Sequence, residues 1–389
     1  IATVWTRFES RTGYDALATS GPARLNADQD AFYYRTAFGF VTRPFEVTDG
    51  LSVSLTALPQ ASGVWGVGGD ELTNAELGLQ EGYLRLKAGD VLRLDVGRRE
   101  VSYGEHVVIG AVPWHQTGRT FDGLFARLTP GGAEGAYLDV FFTGLDEGLS
   151  AGVASPFGAG DGYFAGAYAG LGNWLGSGEL DLYTLHTVRP RFTDPTTNEE
   201  SETAVTSTFG ARAKGSLGPF RYRVETGLQV GRTAGGGSVL AYHVDAEAGV
   251  ALADGRATLS LEGLYASGDD DPSDADQRAW NQLFPTPHKF LGFTDIMGAR
   301  SNVGSGVVHG RFTLHPKVKA LVDVHTFFRP EGPSTGYVGS EVDLALKWML
   351  GGGMWVWGAY NVFLPDEEAF GDDTLAHYVE VQLGYRLRP

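Results

Sequence analysis

The chain has 389 residues and a formal net charge of −17, with 12% aromatic residues, 56 glycines and no cysteine. The absence of cysteine excludes a disulfide framework, a zinc–thiolate site and a thiol nucleophile. The acidic balance argues against a nucleic-acid partner, because binding to a phosphate backbone requires a basic surface. No stretch reaches the roughly 18 uninterrupted apolar residues that a transmembrane helix requires.

Alternation of apolar and polar residues runs along most of the chain, whereas helical periodicity is nearly absent. In 92–97, for instance, leucine and valine alternate with Arg93 and Asp95, and Gly89 and Asp90 form a turn signal just before them. Alternation with a period of two is the pattern of a β-strand with one apolar and one polar face. The strands on either side of this turn are therefore predicted to form a hairpin.

The same pattern recurs in about 18 segments, which are separated by clusters of glycine, proline, aspartate and asparagine. The predicted strands lie at 3–10, 31–43, 51–59, 76–88, 90–100, 121–129, 134–145, 160–171, 177–187, 204–217, 219–231, 239–251, 256–267, 307–315, 317–329, 336–349, 352–363 and 377–388. An even count with about 22 residues per strand and connection is typical of a bacterial barrel. We therefore predict an all-β fold, a transmembrane antiparallel β-barrel that forms one domain over 1–389.

Connections between the predicted strands fall into a short and a long class. Short turns are predicted at 88–90, 217–219, 315–317 and 350–352, and long loops at 11–30, 60–75, 101–120, 188–203, 268–306 and 364–376. Outer-membrane barrels have short periplasmic turns and long extracellular loops. This pattern predicts that the protein lies in the outer membrane of a Gram-negative bacterium.

The two faces of each predicted strand favour a membrane barrel over a soluble β-sandwich. A sandwich explains any single strand, but it gives no reason for polar faces that carry both charge signs in so many strands. A barrel in lipid must be apolar outside, can be polar inside, and must close because the bilayer core offers no partner for a free edge. Candidate aromatic girdles at the membrane interfaces comprise Trp5, Tyr33, Tyr34, Trp348, Trp355, Trp357, Tyr360, Phe363 and Tyr378.

The polar faces define a candidate lumen in which basic and acidic residues are nearly balanced. Bases concentrate in the strands predicted at 31–43, 76–88, 90–100, 121–129, 204–217 and 219–231, and acids in those at 177–187, 239–251, 256–267 and 336–349. The candidate pore-lining residues along the substrate path are Arg35, Arg43, Arg85, Lys87, Arg93, Asp95, Arg99, Arg127, Arg212, Arg221, Arg223, Glu225 and Arg311. Each of these charges has a structural alternative, a cross-barrel ion pair that rigidifies the wall.

Two segments carry the resemblance to a known family. Within 96–128, a Gly-Arg strand end, a Tyr-Gly step, a tryptophan and an Arg-x-Phe-Asp-Gly strand start fall at Gly97, Arg98, Tyr103, Gly104, Trp114, Arg119, Phe121, Asp122 and Gly123. Within 266–295, Ser-Gly-Asp, Leu-Phe-Pro-Thr-x-His-Lys and Gly-x-x-Asp fall at Ser267, Gly268, Asp269, Leu283, Phe284, Pro285, Thr286, His288, Lys289, Gly292 and Asp295. In this order the two segments resemble the alginate-export family of outer-membrane proteins.

The resemblance implies a monomeric barrel of about 18 strands that passively exports a secreted anionic polysaccharide through an arginine-rich lumen with loop-plugged ends. It also implies three partners, namely the polysaccharide chain, outer-membrane lipid and a periplasmic export scaffold or polysaccharide-export protein. The family-motif loop residues would be Arg119, Phe121, Asp122, Phe284, Pro285, His288 and Lys289. The nearly balanced luminal charge departs from the family pattern, so a neutral or mixed-charge polysaccharide is as plausible a cargo as alginate.

Two further functions stay open. One is a substrate-specific uptake porin for small acidic or aromatic solutes, which needs a narrow constriction with a few converging side chains. The other is a non-conducting scaffold or adhesion barrel, whose lumen would be filled by its own ion pairs and plug. The sequence has no His-Glu-x-x-His zinc motif, and we expect neither an enzyme nor a cofactor.

The long acidic loop at 268–306 has two candidate roles. Asp269 and Asp271 are weak candidates for calcium ligands, because their spacing lacks the glycine and the closing glutamate of an EF-hand loop. We therefore predict no metal site. The apolar run 281–292 is expected to fold inward as a plug.

Overall fold

A computed structural model describes residues 1–18, 28–65, 76–131, 135–146, 162–172, 178–193, 200–332 and 335–387. The first strands are β1 (Ala2–Thr12), β2 (Gln29–Phe38), β3 (Phe40–Val41), β4 (Phe45–Thr48), β5 (Leu51–Val64), β6 (Glu76–Ala88), β7 (Leu92–Arg99), β8 (Phe121–Leu128), β9 (Tyr137–Asp146), β10 (Gly162–Gly170) and β11 (Glu179–Arg189). They are followed by β12 (Phe192–Thr193), β13 (Glu200–Ser201), β14 (Ala204–Leu217), β15 (Phe220–Arg232), β16 (Ser238–Leu252), β17 (Ala257–Ala266), β18 (Val303–His315), β19 (Val318–Arg329), β20 (Gly336–Gly351), β21 (Met354–Pro365) and β22 (Ala376–Leu387). The helices are α1 (Tyr14–Ala18), α2 (Glu367–Phe370) and a 3₁₀ turn at Pro287–Lys289.

Antiparallel pairing closes the sheet into a barrel. Each wall strand pairs with the next, and β1 pairs with both β2 and β22. The short strands β3 and β4 continue the line of β2 along β5, whereas β12 and β13 pair only with each other. The wall thus has 18 strands, which confirms the predicted fold class. Among the described residues, no helix has the length and apolar character needed to cross a membrane.

Among the strand limits that differ from the sequence prediction, two have a clear structural cause. The strand predicted at 31–43 is interrupted at Gly39, where a Cβ atom would lie 2.0 Å from the carbonyl oxygen of Ala57. Such a close backbone approach requires glycine and marks a bend. Conversely, β5 continues to Val64 because a bulge between Leu58 and Pro59 accommodates the proline within the strand.

The connections define two ends of the barrel. The short turns at 49–50, 89–91, 218–219, 253–256, 316–317 and 352–353 lie at one end, which we call the short-turn end. The long connections lie at the other, the long-loop end. The predicted alternation is not strict, because the connections at 233–237 and 330–335 belong to the long-loop end and are short.

The outer face of the wall is apolar. Large side chains such as Leu228, Leu261, Val308 and Leu344 are exposed at mid-strand. An exposed apolar band around a closed sheet is what contact with lipid requires. The charged residues of these strands alternate with the apolar ones and therefore point into the lumen.

The predicted aromatic girdle is only partly correct. Trp348 and Tyr360 are exposed on the outer face, as expected for residues at a membrane interface. Trp5, Phe363 and Tyr378 are instead buried inside the barrel. The prediction is wrong for these three because position near a strand end does not determine which face a side chain occupies.

Two connections from the long-loop end fold into the barrel. We call 100–120 the first inner segment and 267–302 the second inner segment. Their backbones pair inside the lumen, where Gly110 N donates to Phe284 O at 2.8 Å and Phe284 N donates to Val108 O at 3.0 Å. The run 281–292, expected to fold inward, lies within the second inner segment and makes this contact.

The buried apolar cluster lies inside the barrel toward the long-loop end. It joins side chains of both inner segments, both helices and the wall, including Tyr14, Leu17, Val107, Ile109, Phe164, Tyr183, Trp280, Leu291, Ile296, Phe327 and Phe370. Burial of apolar area is the main contribution that holds such segments in place. The lumen near the long-loop end is therefore packed like a protein core. The charged part of the lumen, nearer the short-turn end, is less tightly filled.

Leu261 and Leu217 offer a matched test of the lipid-facing wall, because they are 65% and 66% exposed, at mid-strand and at the short-turn end. We expect Leu261→Arg to lower the free energy of unfolding by about 2–4 kcal/mol and Leu217→Arg by about 1 kcal/mol or less, since the cost depends on membrane depth. Denaturant titration of the protein folded into lipid vesicles measures both. Equally small effects at the two positions would contradict lipid contact.

Candidate functional site: a charged lumen with two inner segments

Polar side chains of the wall hold the first inner segment through its backbone. Arg7, Arg35 and Gln60 donate hydrogen bonds to three carbonyl groups of 114–117, the latter two at 3.3 and 3.0 Å. All three side chains are buried. Arg35, a candidate pore-lining residue, is thus turned toward the inner segment, which limits its contact with a passing solute.

The two motif segments identified in the sequence meet inside the barrel. Arg119 donates to the carbonyl oxygens of Gly110, at 3.2 Å, and of Pro285, at 2.6 Å. Phe121 packs edge-to-face against Phe284 with 5.3 Å between the ring centroids. These motif residues therefore fasten the inner segments to each other and to β8.

Asp122 is the motif residue that the structure places elsewhere. It points outward from β8 and accepts a hydrogen bond from Arg98 Nε at 2.7 Å. The pair lies on the outside of the barrel, because Asp122 alternates with the buried Phe121. Asp122, assigned by resemblance to the family-motif loop, thus lies on the wall strand β8 and does not contact the inner segments as Arg119 and Phe121 do.

Luminal carboxylates anchor the second inner segment. Arg300 donates to Asp245 at 2.7 Å, and both side chains are at most 1% exposed. Glu341 accepts hydrogen bonds from the backbone and the hydroxyl of Thr294, at 2.8 and 2.6 Å. Removing one partner of a buried ion pair leaves an uncompensated charge, so these contacts hold the segment firmly.

His288 lies at the junction between the inner segments. Its ring stacks on Trp114 with 4.2 Å between centroids, and its Nδ1 lies 3.0 Å from Asp295. Burial disfavours the charged imidazole, but the carboxylate of Asp295 raises the pKa of His288 above its ordinary value. His288 thus links the first inner segment, through Trp114, to the second, through Asp295.

Three arginines surround one buried carboxylate on the wall formed by β6, β7 and β8. Asp95 accepts two hydrogen bonds from Arg85, at 2.7 and 3.0 Å, and one from Arg99, and Arg93 lies 3.5 Å away. Arg127 is bound to a second carboxylate, Asp139, through two hydrogen bonds of 2.6 Å. All four arginines keep between a fifth and a third of their side chains exposed, so this wall presents excess positive charge to the lumen.

Three of the candidate residues on β14 and β15 are buried in contacts with the wall. Arg212 donates to Asp181 at 2.6 Å, and Arg223 donates to Glu262 at 2.7 Å and lies 2.9 Å from Asp245. Glu225 accepts a hydrogen bond from a tyrosine of β11. Arg212, Arg223 and Glu225 are buried, so they rigidify the wall rather than contact a solute.

Cations crowd the lumen near the short-turn end. Among the described strand residues, eleven inward-facing cations but four inward-facing carboxylates lie within four residues of the strand end on that side, a separation of about 14 Å along a strand. We call these cations the basic collar, which comprises Arg85, Lys87, Arg93, Arg127, Lys214, Arg221, Arg223, Arg311, Lys319, Lys347 and Arg386. The four carboxylates are Asp95, Asp139, Glu179 and Asp181.

Several members of the basic collar are direct cross-strand neighbours of one another. Lys87 lies opposite Arg93, which in turn lies opposite Arg127, and Lys319 lies opposite Lys347. Like charges directly opposite on a sheet destabilise it. These contacts between like charges oppose folding, and an anionic ligand bound between them would relieve the repulsion.

A cavity of about 400 Å³ opens beside the basic collar, below the packed inner segments. Its wall includes Arg221, Arg311, Lys214 and hydroxyl groups of β17, and Lys289 and Glu105 of the inner segments form its roof. The remaining lining residues are Glu179, Gly215, Ser216, Tyr222, Arg223, Glu247, Gly249, Thr258, Ser260, Glu262, Phe290 and His309. Cations, carboxylates and hydroxyls thus converge on one space.

Two further predictions concern residues outside this space. Arg43 lies in the exposed segment between β3 and β4, outside the regular strands, and its luminal role stays a prediction. Asp269 and Asp271 lie in an exposed loop, where they accept hydrogen bonds from neighbouring backbone amides. Within the described residues, no group of three or more His, Asp or Glu side chains has metal-binding geometry.

Sequence reasoning missed Glu105 and Arg300, which lie outside every predicted strand. Glu105 directly follows the Tyr-Gly step of the first motif segment. Arg300 is an isolated cation near the end of the second inner segment. Their partners are more than 50 residues away in the chain. The motif around Gly104 was the one local signal that pointed to Glu105.

The comparisons with known proteins agree with this geometry. A family model described as alginate export matches residues 162–356, half of the chain. Among curated proteins, none matches this chain. The family and the fold are those of outer-membrane channels.

Solved outer-membrane porins share the fold. OpdK of Pseudomonas aeruginosa, solved with vanillate, is 13% identical with a TM-score of 0.66, over 99% of this chain and 97% of that chain. OccK2 (OpdF) of the same species, solved in complex with glucuronate, is 14% identical with a TM-score of 0.64, over 99% and 96%. OccAB4 of Acinetobacter baumannii is 10% identical with a TM-score of 0.65, over 99% and 96%.

Removing 281–292 should raise single-channel conductance in planar bilayers, because this run and its partners occupy the lumen near the long-loop end. As a control, removing 270–274, an exposed part of the same connection, should leave conductance unchanged. Both variants keep every wall strand. If the first deletion also left conductance unchanged, the run would not obstruct the pore.

Proposed function

This chain belongs to the alginate-export family of outer-membrane β-barrels, and from that premise we propose that it is a passive, selective channel for small acidic saccharides. It lies in the outer membrane of a Gram-negative bacterium, so the short-turn end faces the periplasm. The solutes in question are sugar acids and their short oligomers, which combine a carboxylate with several hydroxyl groups.

The observation that carries the proposal is the cavity below the inner segments. Its volume of about 400 Å³ lies within the range of small-molecule sites. A long polymer would require an unobstructed lumen, whereas here the two inner segments fill the part of the lumen nearer the long-loop end. The space that remains suits one or a few sugar units.

The lining chemistry suits a carboxylate with hydroxyl groups. Arginine offers a planar fork that binds carboxylates through two hydrogen bonds, and Arg221 and Arg311 both expose their side chains to the cavity. Thr258 and Ser260 provide partners for sugar hydroxyls. Many weak, exchangeable contacts allow passage where a few tight ones would trap the solute.

The solved relatives support the same solute class. OpdK was solved with vanillate and OccK2 with glucuronate, and both of these ligands are small carboxylates. The low identities carry no residue correspondence to this chain. They make small carboxylates the natural probes for it.

Export of an anionic polysaccharide is a second candidate, favoured by the family match and by the basic collar. The basic collar faces the periplasm, where it would meet an outgoing polyanion first. Export of a long chain would additionally require the inner segments to leave the lumen. The direction of block by oligomers separates this candidate from the first.

Glucuronate should block single-channel current in planar bilayers more strongly than glucose, which lacks the carboxylate. Arg221→Ala should weaken the glucuronate block about three- to tenfold, because it removes a charge-assisted hydrogen bond. Arg98→Ala, which removes the same charge from the outside of the barrel, should leave block unchanged.

Other outcomes select between the alternatives. Block by long oligouronates added only from the periplasmic side, without block by glucuronate, would favour polysaccharide export. No conductance, even after removal of 281–292, would favour a scaffold. Equal block by glucose and glucuronate would contradict selection of acidic solutes.

A further inference from the structure

Glu105 occupies the roof of the cavity, where three cations converge on its carboxylate. Lys289 of the second inner segment lies 3.2 Å from it and Arg212 of β14 lies 3.3 Å from it, and Lys214 of β14 donates a hydrogen bond to it. Lys214 and Lys289 are about half exposed and face the cavity. One carboxylate thus joins both inner segments to the wall.

The charge state of Glu105 is fixed at neutral pH. Partial burial disfavours the ionised form, but hydrogen bonds and charge from Lys214 and Lys289 lower the pKa of Glu105 to about 2. The same cations would stabilise any other carboxylate placed between them. Glu105 and an acidic saccharide therefore offer these cations the same group, a carboxylate.

The backbone around Glu105 is held in uncommon conformations. Gly104 has a φ of +53°, and a Cβ atom there would lie 2.8 Å from the Arg212 side chain. His106 has a φ of 70° and the β-branched Val112 a φ of 48°. Non-glycine residues adopt such angles rarely, and surrounding contacts must hold them there.

We propose that the Glu105 carboxylate occupies the site at which the carboxylate of the solute binds. An acidic saccharide that enters the cavity then displaces Glu105 from Lys214 and Lys289. The inference rests on the proposed function, and it adds the site of carboxylate binding and the way in which binding acts on the inner segments. Solute binding and release of the turn that carries Glu105 are then one event.

Displacement would free a small part of the first inner segment. The wall contacts of 114–117 and of Arg119 lie further along the chain and do not involve Glu105. The turn that carries Glu105 is closed by a hydrogen bond from His106 N to Tyr103 O at 3.0 Å. We expect this turn, at 103–106, to move against the hydrogen bonds that His106 O accepts from Thr286 N at 3.0 Å and that Tyr103 donates to Asp139 at 2.9 Å, while the rest of the first inner segment stays attached.

Glu105→Gln tests the proposal, and Glu247→Gln is its matched control. Both substitutions remove one negative charge from the same cavity, but Glu247 belongs to the wall strand β16. If Glu105 occupies the carboxylate site about nine-tenths of the time, its removal strengthens glucuronate block about tenfold, because apparent affinity scales with the fraction of competent sites. Glu247→Gln should change block by less than about threefold, as expected for a general change of potential.

A thiol reporter follows the movement itself. The chain has no cysteine, and Val107, beside the turn, is 1% exposed. In Val107→Cys, glucuronate should accelerate modification by a water-soluble thiol reagent, and glucose should not. Adding Glu105→Gln to this variant should make modification fast without any solute.

The outcomes separate this inference from the proposed function. Selective glucuronate block in wild type, with equal effects of Glu105→Gln and Glu247→Gln, would overturn the inference and leave the proposed function intact. Glucuronate block without faster modification of Val107→Cys would also overturn it. Absence of glucuronate block in wild type and in both variants would overturn the two together.

Discussion

Contact with lipid on the outside of the barrel forces the charged residues of the wall strands toward the lumen, and the rest of the structure depends on how those charges are paired there. A charge in the hydrocarbon region is costly, and an unpaired charge inside the wall is costly as well. Asp95 and Asp245 show the result, because each is fully buried and each lies among arginines. Ion pairing and burial therefore determine which cations are available to bind a solute.

Burial divides the luminal cations into two groups with different roles. Arg7, Arg35 and Arg300 are buried and hold the inner segments, whereas Arg221 and Arg311 stay exposed at the periplasmic end, where Arg311 also donates hydrogen bonds to Asp323. The chain as a whole carries −17, yet its periplasmic lumen is basic. Such an arrangement attracts anions locally without making the surface of the protein cationic. Selectivity then arises where the cavity and the basic collar adjoin, and Glu105 occupies that place until an acidic solute arrives.

The sequence predicted the wall well and the contents of the lumen poorly, for a physical reason. A period of two assigns each residue to a face, so Arg93, Asp95 and Arg223 were placed correctly in the lumen. The same period says nothing about depth or partners, so it did not separate the exposed Arg221 from the buried Arg223. The inner segments have no period at all, and their positions depend on contacts such as the pair formed by Arg300 and Asp245, which are far apart in the chain. Aromatic character alone does not place Trp5 and Phe363 at the membrane interface, because the interior of this barrel also contains many aromatic side chains at one end.

On the proposed function, we expect the lumen to admit short acidic saccharides and to exclude long ones while the inner segments are in place. Swelling of proteoliposomes in isotonic glucuronate and in oligouronates of increasing length measures this directly. We predict rapid swelling with the monomer and a steep decline beyond about three units, because a cavity of about 400 Å³ holds no more. Equal swelling rates for a monomer and a hexamer would contradict the account.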